Sequence, residues 1–347
     1  MLNRGCRSAL MCVMAALLFG LILFGGTAQA QALVKVTPLG SHSGELCSAD
    51  RALLFEDPTG VRILYDPGAT TDEADPRLGD VHVILLSHAH ADHIGTTRRG
   101  GGTCAAPAPG ATNPSSNVAT IAAVKNSAVF GTLELFTFLG PKIQGVRGVP
   151  TLGCGAVGLE NEIVVPRSAP CVGNLNPGSS LTVRRGGAPA SVRITGVEAT
   201  HGNHIPAVLI DPPGLQPGLT GYGGPAVGHV VRFTNGLTAY LTGDTGMFAD
   251  MEQVIARFYH PNLVVINLGP GAMGHEGAVN VIQYLVKPTT VIPSHVNEQA
   301  TSGGAVVTNT RTERFMRIAG AFTNVILPLS DITLAFDGEG RCNGCGR

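Results

Sequence analysis

The segment that most restricts this chain runs from Val81 to His93. Val81-His82-Val83-Ile84-Leu85-Leu86 is a short apolar run broken only by His82, and it reads as a strand buried on both faces. Ser87-His88-Ala89-His90-Ala91-Asp92-His93 follows directly. It sets three imidazoles and one carboxylate at the carboxyl end of that strand, where binding loops collect. A single histidine is ordinarily a solvated or hydrogen-bonded residue. Four such side chains on one turn would compete or repel unless something organises them, and burying them unpaired is costly. Imidazole with carboxylate is a donor set suited to Zn²⁺, so the segment is read as part of a metal site.

Four further segments carry matching chemistry: Leu64-Tyr65-Asp66-Pro67-Gly68, Glu198-Ala199-Thr200-His201-Gly202, Leu241-Thr242-Gly243-Asp244-Thr245-Gly246 and Val291-Ile292-Pro293-Ser294-His295. With His88-x-His90-x-Asp92-His93 they form a pattern that resembles the metallo-β-lactamase-fold hydrolases, in family order and over most of the chain. The Gly-rich stretch 269–277 before a helix resembles the ascorbate-6-phosphate lactonase-like branch most. The resemblance implies an α/β fold, a four-layer αβ/βα sandwich of two packed mixed sheets flanked by helices.

It also implies two metals. His88, His90 and His201 would hold the first, Asp92, His93 and His295 the second, and Asp244 would bridge them. Zn²⁺ is the expected ion, two per chain, with Mn²⁺ or Fe²⁺ as alternatives. Two cations roughly 3.5–4 Å apart can hold a hydroxide for attack on carbon or phosphorus and polarise the substrate oxygen. Asp92 would orient that hydroxide and pass a proton to the leaving group. His275, in the Gly-rich loop, is a candidate acid or anion contact, and His204 a donor or substrate contact beside His201; a loop histidine in water is the bland reading of His204. His229 is divided between core packing and a site role. His42 sits in a short polar turn, while His82 and His260 read as structural.

Along the chain, Leu33–Pro38, Ala52–Glu56 and Val61–Tyr65 are expected strands, the last two joined across Asp57-Pro58-Thr59-Gly60. Helices are expected over Asn117–Asn126, capped by Ser115 or Ser116, and over Leu133–Ile143. Gly100–Ser116 reads as a surface loop, and residues 145–190 give few periodic signals. Strands are then expected at Val192–Ala199, Ala226–Phe233, Leu237–Thr242, Leu263–Asn267, Val291–Ile292, Val325–Leu327 and Ile332–Phe336. Helices are expected at Phe248–Tyr259, Ala278–Leu285 and Arg311–Ala319.

Residues 1–30 read apart from the fold. Arg4 and Arg7 precede an apolar stretch, and Ala28-Gln29-Ala30 is a small-x-small cleavage pattern, so a signal peptide ending at Ala30 is expected. Residues 31–341 would form the hydrolase domain and 342–347 a cysteine-containing tail. Removing Arg4 and Arg7 takes the 23 basic residues to 21 against 24 acidic ones, a formal −3. A periplasmic or secreted protein without a stable membrane anchor follows. Cys47, Cys104, Cys154, Cys171, Cys342 and Cys345 remain after cleavage, an even set that implies disulfides of unassigned pairing. Cys342-Asn-Gly-Cys345 is best read as a structural bridge, with zinc held by four cysteines as the alternative.

The near-neutral charge supplies no field to recruit nucleic acid, and Trp is absent with aromatics at 5%. A small-molecule substrate is therefore expected, and the oligomeric state is left open. Hydrolysis of a small ester, lactone, amide or phosphodiester leads. β-Lactam cleavage is one alternative. Iron-dependent oxygenation on the same fold is another: diiron flavin-coupled relatives usually replace the second histidine of the motif by Glu, but single-iron relatives keep it, as His90 does here. A non-catalytic scaffold would have a degenerate site, and this one is complete.

Overall fold

Alternation sets the plan from the first strand. In Val34–Pro38, Val34, Val36 and Pro38 are buried while Lys35 is exposed, the period-two pattern of a strand with one face on the core. The computed structural model describes residues 32–210 and 220–345, all in one packed unit. The leader expected over residues 1–30 lies outside the described residues.

Two eight-stranded mixed sheets form the body. The first runs in the order Leu334–Phe336, Val34–Pro38, Leu53–Glu56, Arg62–Tyr65, Val83–Leu85, Ala128–Gly131, Cys171–Asn174, Leu152–Gly153. The second runs Asn324–Val325, Thr290–Ser294, Leu263–Asn267, Thr238–Leu241, Val227–Arg232, Val192–Glu198, Ser180–Arg185, Glu162–Val165. The inward residues of both, among them Val36, Phe55, Ile63, Leu85, Ile194, Val231 and Leu263, make one core between the sheets. Leu54, Leu64, Ile84 and Val129 point the other way and pack under helices Asn117–Lys125 and Leu133–Arg147. Tyr240, Val264 and Val291 likewise face outward, under Met251–Tyr259, the Gly274–Val286 helical run and Arg311–Ala319. Helix, sheet, sheet, helix is the four-layer sandwich expected from the sequence.

Local chemistry fixes the boundaries. Ser116 accepts from Ala119 N at the start of its helix, Thr132 from Leu135 N and Thr310 from Glu313 N. The Asp57 turn closes through Gly60 N to Asp57 O at 2.7 Å, which puts Glu56 opposite Arg62. The helix from Leu133 continues to Arg147 through Pro141. The helix expected from Phe248 starts at Met251 and is wound as a π-helix. The one expected from Ala278 starts at Gly274 and turns π-helical over Val281–Val286.

One expectation needs correction, and one stretch with few periodic signals gains structure. Residues 100–116 are not all loop: Thr97–Gly102 and Pro107–Ala111 pair as an antiparallel hairpin. Its strands are almost free of apolar alternation, and the Cys47–Cys104 disulfide anchors its tip. Residues 145–190 likewise hold four strands, at Leu152–Gly153, Glu162–Val165, Cys171–Asn174 and Ser180–Arg185. They lie toward one end of each sheet, where neighbours and a Cys154–Cys171 bridge supply order that periodicity does not. Cys342 pairs with Cys345, so all six cysteines among the described residues are in disulfides and none of these six is left for zinc. No helix among the described residues is long and apolar enough to cross a membrane.

Candidate metal centre

The site is assembled from strand ends. Arg62–Tyr65 and Val83–Leu85 run parallel in the first sheet, as do Thr238–Leu241, Leu263–Asn267 and Thr290–Ser294 in the second. Beyond or at their carboxyl ends stand Asp66, His88, Asp244, Asn267 and His295. Asp66 and His295 take left-handed backbone, φ 38° and 49°, immediately past their strands. Such positions cost about 1–3 kcal/mol and persist where their surroundings demand them. Gly269 is required by space instead: a Cβ there would lie 2.8 Å from His295 Nδ1. A short helix, Ala91–Ile94, carries Asp92 and His93.

All seven residues expected as ligands converge. The ligand atoms of His88, His90 and His201 lie within 4.8 Å of one another, as do those of His88, His93 and Asp244, and those of Asp92, His93 and His295. Asp244 stands between the groups. Its Oδ1 is 3.4 Å from His93 Nε2, and its Oδ2 is 3.4 Å from His295 Nε2 and 3.7 Å from His201 Nε2. Asp92 Oδ2 is 3.1 Å from His295 Nε2.

The rear of the cluster is held by neighbours. Asp66 Oδ2 faces His93 Nδ1 at 2.9 Å, and the same carboxylate accepts from Ser87 N at 2.9 Å and Ser87 Oγ at 2.7 Å. Ser87 Oγ lies 2.9 Å from His88 Nδ1. With the rear nitrogens of both rings engaged, their Nε2 atoms face the centre, buried and without any hydrogen-bond partner. A buried polar atom left unpaired costs about 1–3 kcal/mol. Two aimed into one cluster fit a cation held there, and rings oriented from behind by a carboxylate are how such ligands are fixed. Asn267 donates to Asp244 Oδ1, Tyr65 OH accepts from Gly243 N at 2.9 Å, and Asn203 Oδ1 accepts from Ala89 N at 2.7 Å.

Protonation follows the same logic. Burial, then the neighbouring charge of His93, pushes His88 well below its ordinary value. Burial with His201 and His204 lowers His90 to about 4, so both rings are neutral donors. Burial alone would also lower His93, but the carboxylates of Asp244 and Asp66 override it and raise it to about 10. The pocket favours positive charge at that point. Burial opposes ionisation of Asp92 and Asp244, yet the hydrogen bond from His295 and the charge of Arg51 hold Asp92 far below the carboxylate range, and His93 does so for Asp244.

The outer histidines divide. His204 Nδ1 lies 3.2 Å from His90 Nε2, beside the cluster and exposed. His275 stands in the first turn of Gly274–Asn280, half-buried, with no hydrogen bond, ion pair or ring contact to the cluster. His42 meets Ser41 Oγ and Gly102 O instead. His82 is structural, its Nδ1 accepting from Arg62 N, and His260 closes a helix in left-handed conformation. His229 is fully buried with both ring nitrogens unpaired, edge-on to Tyr65. Sequence reasoning gave no role to Asp66, Ser87, Asn203, Asn267 or Arg51. Asn267 leaves a trace, as a polar residue closing the apolar run Leu263–Ile266.

Residues 49–295 match the model of the β-lactamase superfamily domain. A metal-dependent hydrolase of Cupriavidus necator is 27% identical over 301 residues, covering 84% of this chain and 85% of the relative. One from Cupriavidus taiwanensis is 29% identical over 275 residues, covering 77% and 79%. Among solved structures, a metallo hydrolase from the archaeon Ignicoccus hospitalis aligns with a TM-score of 0.54 at 20% identity, over 88% of this chain and 99% of that one. The match spans His88–His93, Asp244 and His295 together, and this chain belongs to the β-lactamase superfamily domain family.

Proposed function

We infer that this chain is an exported metal-dependent hydrolase whose centre takes two divalent cations, Zn²⁺ in the first instance, and cleaves a small ester, lactone or phosphodiester. What carries the reading is the pair of buried Nε2 atoms of His88 and His93, neither with a hydrogen-bond partner, gathered with the ionised carboxylate of Asp244. The relatives from Cupriavidus, which it covers over most of their length, support the reaction class.

Cations held by His88, His90, His201, Asp92, His93, His295 and Asp244 would supply a water that is nucleophilic at neutral pH and polarise the oxygen of the bond to be cut. The chain's own residues do the rest. Asp66 and Ser87 orient His93 and His88 from behind. Asn267 holds Asp244 between the two groups. Asp92 has 49% of its side chain exposed, with Oδ2 engaged by Arg51 and His295. Its Oδ1, which has no hydrogen-bond partner among the described residues, can hold or pass a proton at the open side. Exposed His204 borders that opening, where a substrate anion would arrive. His275 is no part of this machinery as the cluster stands, and its proposed acid role would need substrate to reach it.

Three disulfides and the signal-like leader support export to the periplasm or beyond. Thiol titration of unfolded, unreduced protein should find none of the six mature cysteines free; six free thiols would contradict export. A screen of lactones, β-lactams and phosphodiesters with added Zn²⁺ or Mn²⁺ tests the reaction class. Turnover should require the cation and vanish in His88→Ala. Turnover that survives both chelation and that substitution would exclude the reading.

A further inference from the structure

Two arginines face each other across a strand pair in the second sheet. Arg193 of Val192–Glu198 stands directly opposite Arg232 of Val227–Arg232 in the antiparallel register. Side chains paired in this way have Cβ atoms about 5 Å apart, and like charges there repel. Arg193 has some relief, since its Nη1 donates to Glu160 and its Nη2 to Ser180 Oγ at 2.9 Å. Arg232 is exposed and has neither a hydrogen bond nor an ion pair among the described residues. Glu160 is the one carboxylate among them that bonds either arginine.

An exposed arginine by itself is ordinary surface. These two line a cavity of about 500 Å³ on the outer face of the second sheet, a volume within the range of small-molecule sites. Its floor is strand: Thr195, Val230 and Thr238 line it beside the arginines, on three neighbouring strands of the sheet. The hydroxyls of Thr195 and Thr238 bond to nothing among the described residues. The wall is aromatic. Helix Met251–Tyr259 covers the rest of this face and stops here, with Phe258 and Tyr259 lining the cavity. Phe258 is 72% exposed, its ring edge-on to that of Tyr259 with centroids 4.8 Å apart. The cavity is therefore polarised. Positive charge and free hydroxyls lie on the floor, and an uncovered aromatic ring stands at a helix carboxyl end, which itself disfavours anions.

We propose that this cavity is a second ligand site, apart from the metal centre, for a small anion carried on an aromatic ring, as in an aryl carboxylate or an aryl phosphate. The anionic oxygens bridge Arg193 and Arg232, whose planar donor forks suit such groups and whose mutual repulsion they relieve. The ring covers Phe258. Ladder hydrogen bonds fix the floor strands, so little has to be ordered on binding. Arg193 lies five residues before Glu198, roughly 16 Å along the strand, and His201 stands beyond that carboxyl end. The inference does not depend on what the metal centre holds.

The test is a calorimetric titration of the full chain with benzoate and with phenylphosphonate, which share the ring and differ in the anion; a preference between them names the anion as carboxylate or phosphate. Inorganic phosphate, the control without a ring, should bind at least about tenfold more weakly than phenylphosphonate. Arg232→Gln should weaken the bound probe about tenfold, and Phe258→Ala about fivefold. Both positions are exposed, so the circular dichroism spectrum should not change, and Arg232→Gln, which removes one of two opposed charges, should not lower the melting temperature. His88→Ala should leave probe binding as it is, which separates this cavity from anion uptake at the metal centre. Binding lost in His88→Ala but intact in Arg232→Gln would place the probe at the metal centre and overturn the inference. So would the absence of binding by both probes, or phosphate binding as tightly as phenylphosphonate.

Discussion

The floor and the rim of the metal centre are built differently. On the floor, His88, His93 and Asp244 are buried, and each is held from behind: His88 by Ser87, His93 by Asp66, Asp244 by Asn267. At the rim, His90 and His201 are half-buried and Asp92 and His204 exposed. Their partners are mostly one another and the floor. The floor is thus arranged before any ligand arrives, because its partners are protein atoms fixed by strand ends. The rim keeps the freedom that a substrate needs in order to approach.

If that contrast is right, floor substitutions should hurt far more than rim ones. His88→Ala or Asp244→Ala should cut kcat/KM at least roughly a thousandfold and lower the bound-cation count, with the circular dichroism spectrum unchanged. His229, beneath the floor, gives the next effect, on stability. Burial pushes this ring down to about 4, against about 6.5 in an unfolded chain. The unfolded state therefore takes up the proton first. Stability is full above pH 6.5 and falls as pH drops toward 4, by about 3 kcal/mol from this residue. In denaturant melts across that range, His229→Leu should show a shallower acid loss; an identical slope would remove His229 from the account. Asp66→Asn should weaken cation affinity by about 10–100-fold, since it takes the charge from behind His93 but leaves every ligand in place. His204→Ala should change KM by less than about tenfold and leave the cation count alone, as an exposed rim contact would. A His204 effect as large as that of Asp66 would erase the distinction between floor and rim.

The contrast also explains what was legible in the sequence. His88, His90, Asp92 and His93 are adjacent along the chain, so their chemistry shows as a motif. Leu263–Asn267 and Arg311–Ala319 have the bounds that their apolar patterns imply. The Thr97–Gly102 hairpin was invisible, because Gly-rich strands joined by backbone bonds and a disulfide carry no alternation. Leu152–Gly153 is exposed at a sheet edge and gives no burial signal either. Arg51 was missed for another reason. Nothing in the local sequence around Cys47-Ser48-Ala49-Asp50-Arg51 tells that its guanidinium reaches the turn at Asp92, since that contact exists only after the loop folds over Gly68.

Crystals of the zinc-loaded chain, with anomalous data collected on either side of the zinc edge, address the centre most directly. The account predicts two peaks per chain, one among His88, His90 and His201 and one among Asp92, His93 and His295, with Asp244 touching both. Zinc bound elsewhere, with these seven side chains left bare, would contradict it.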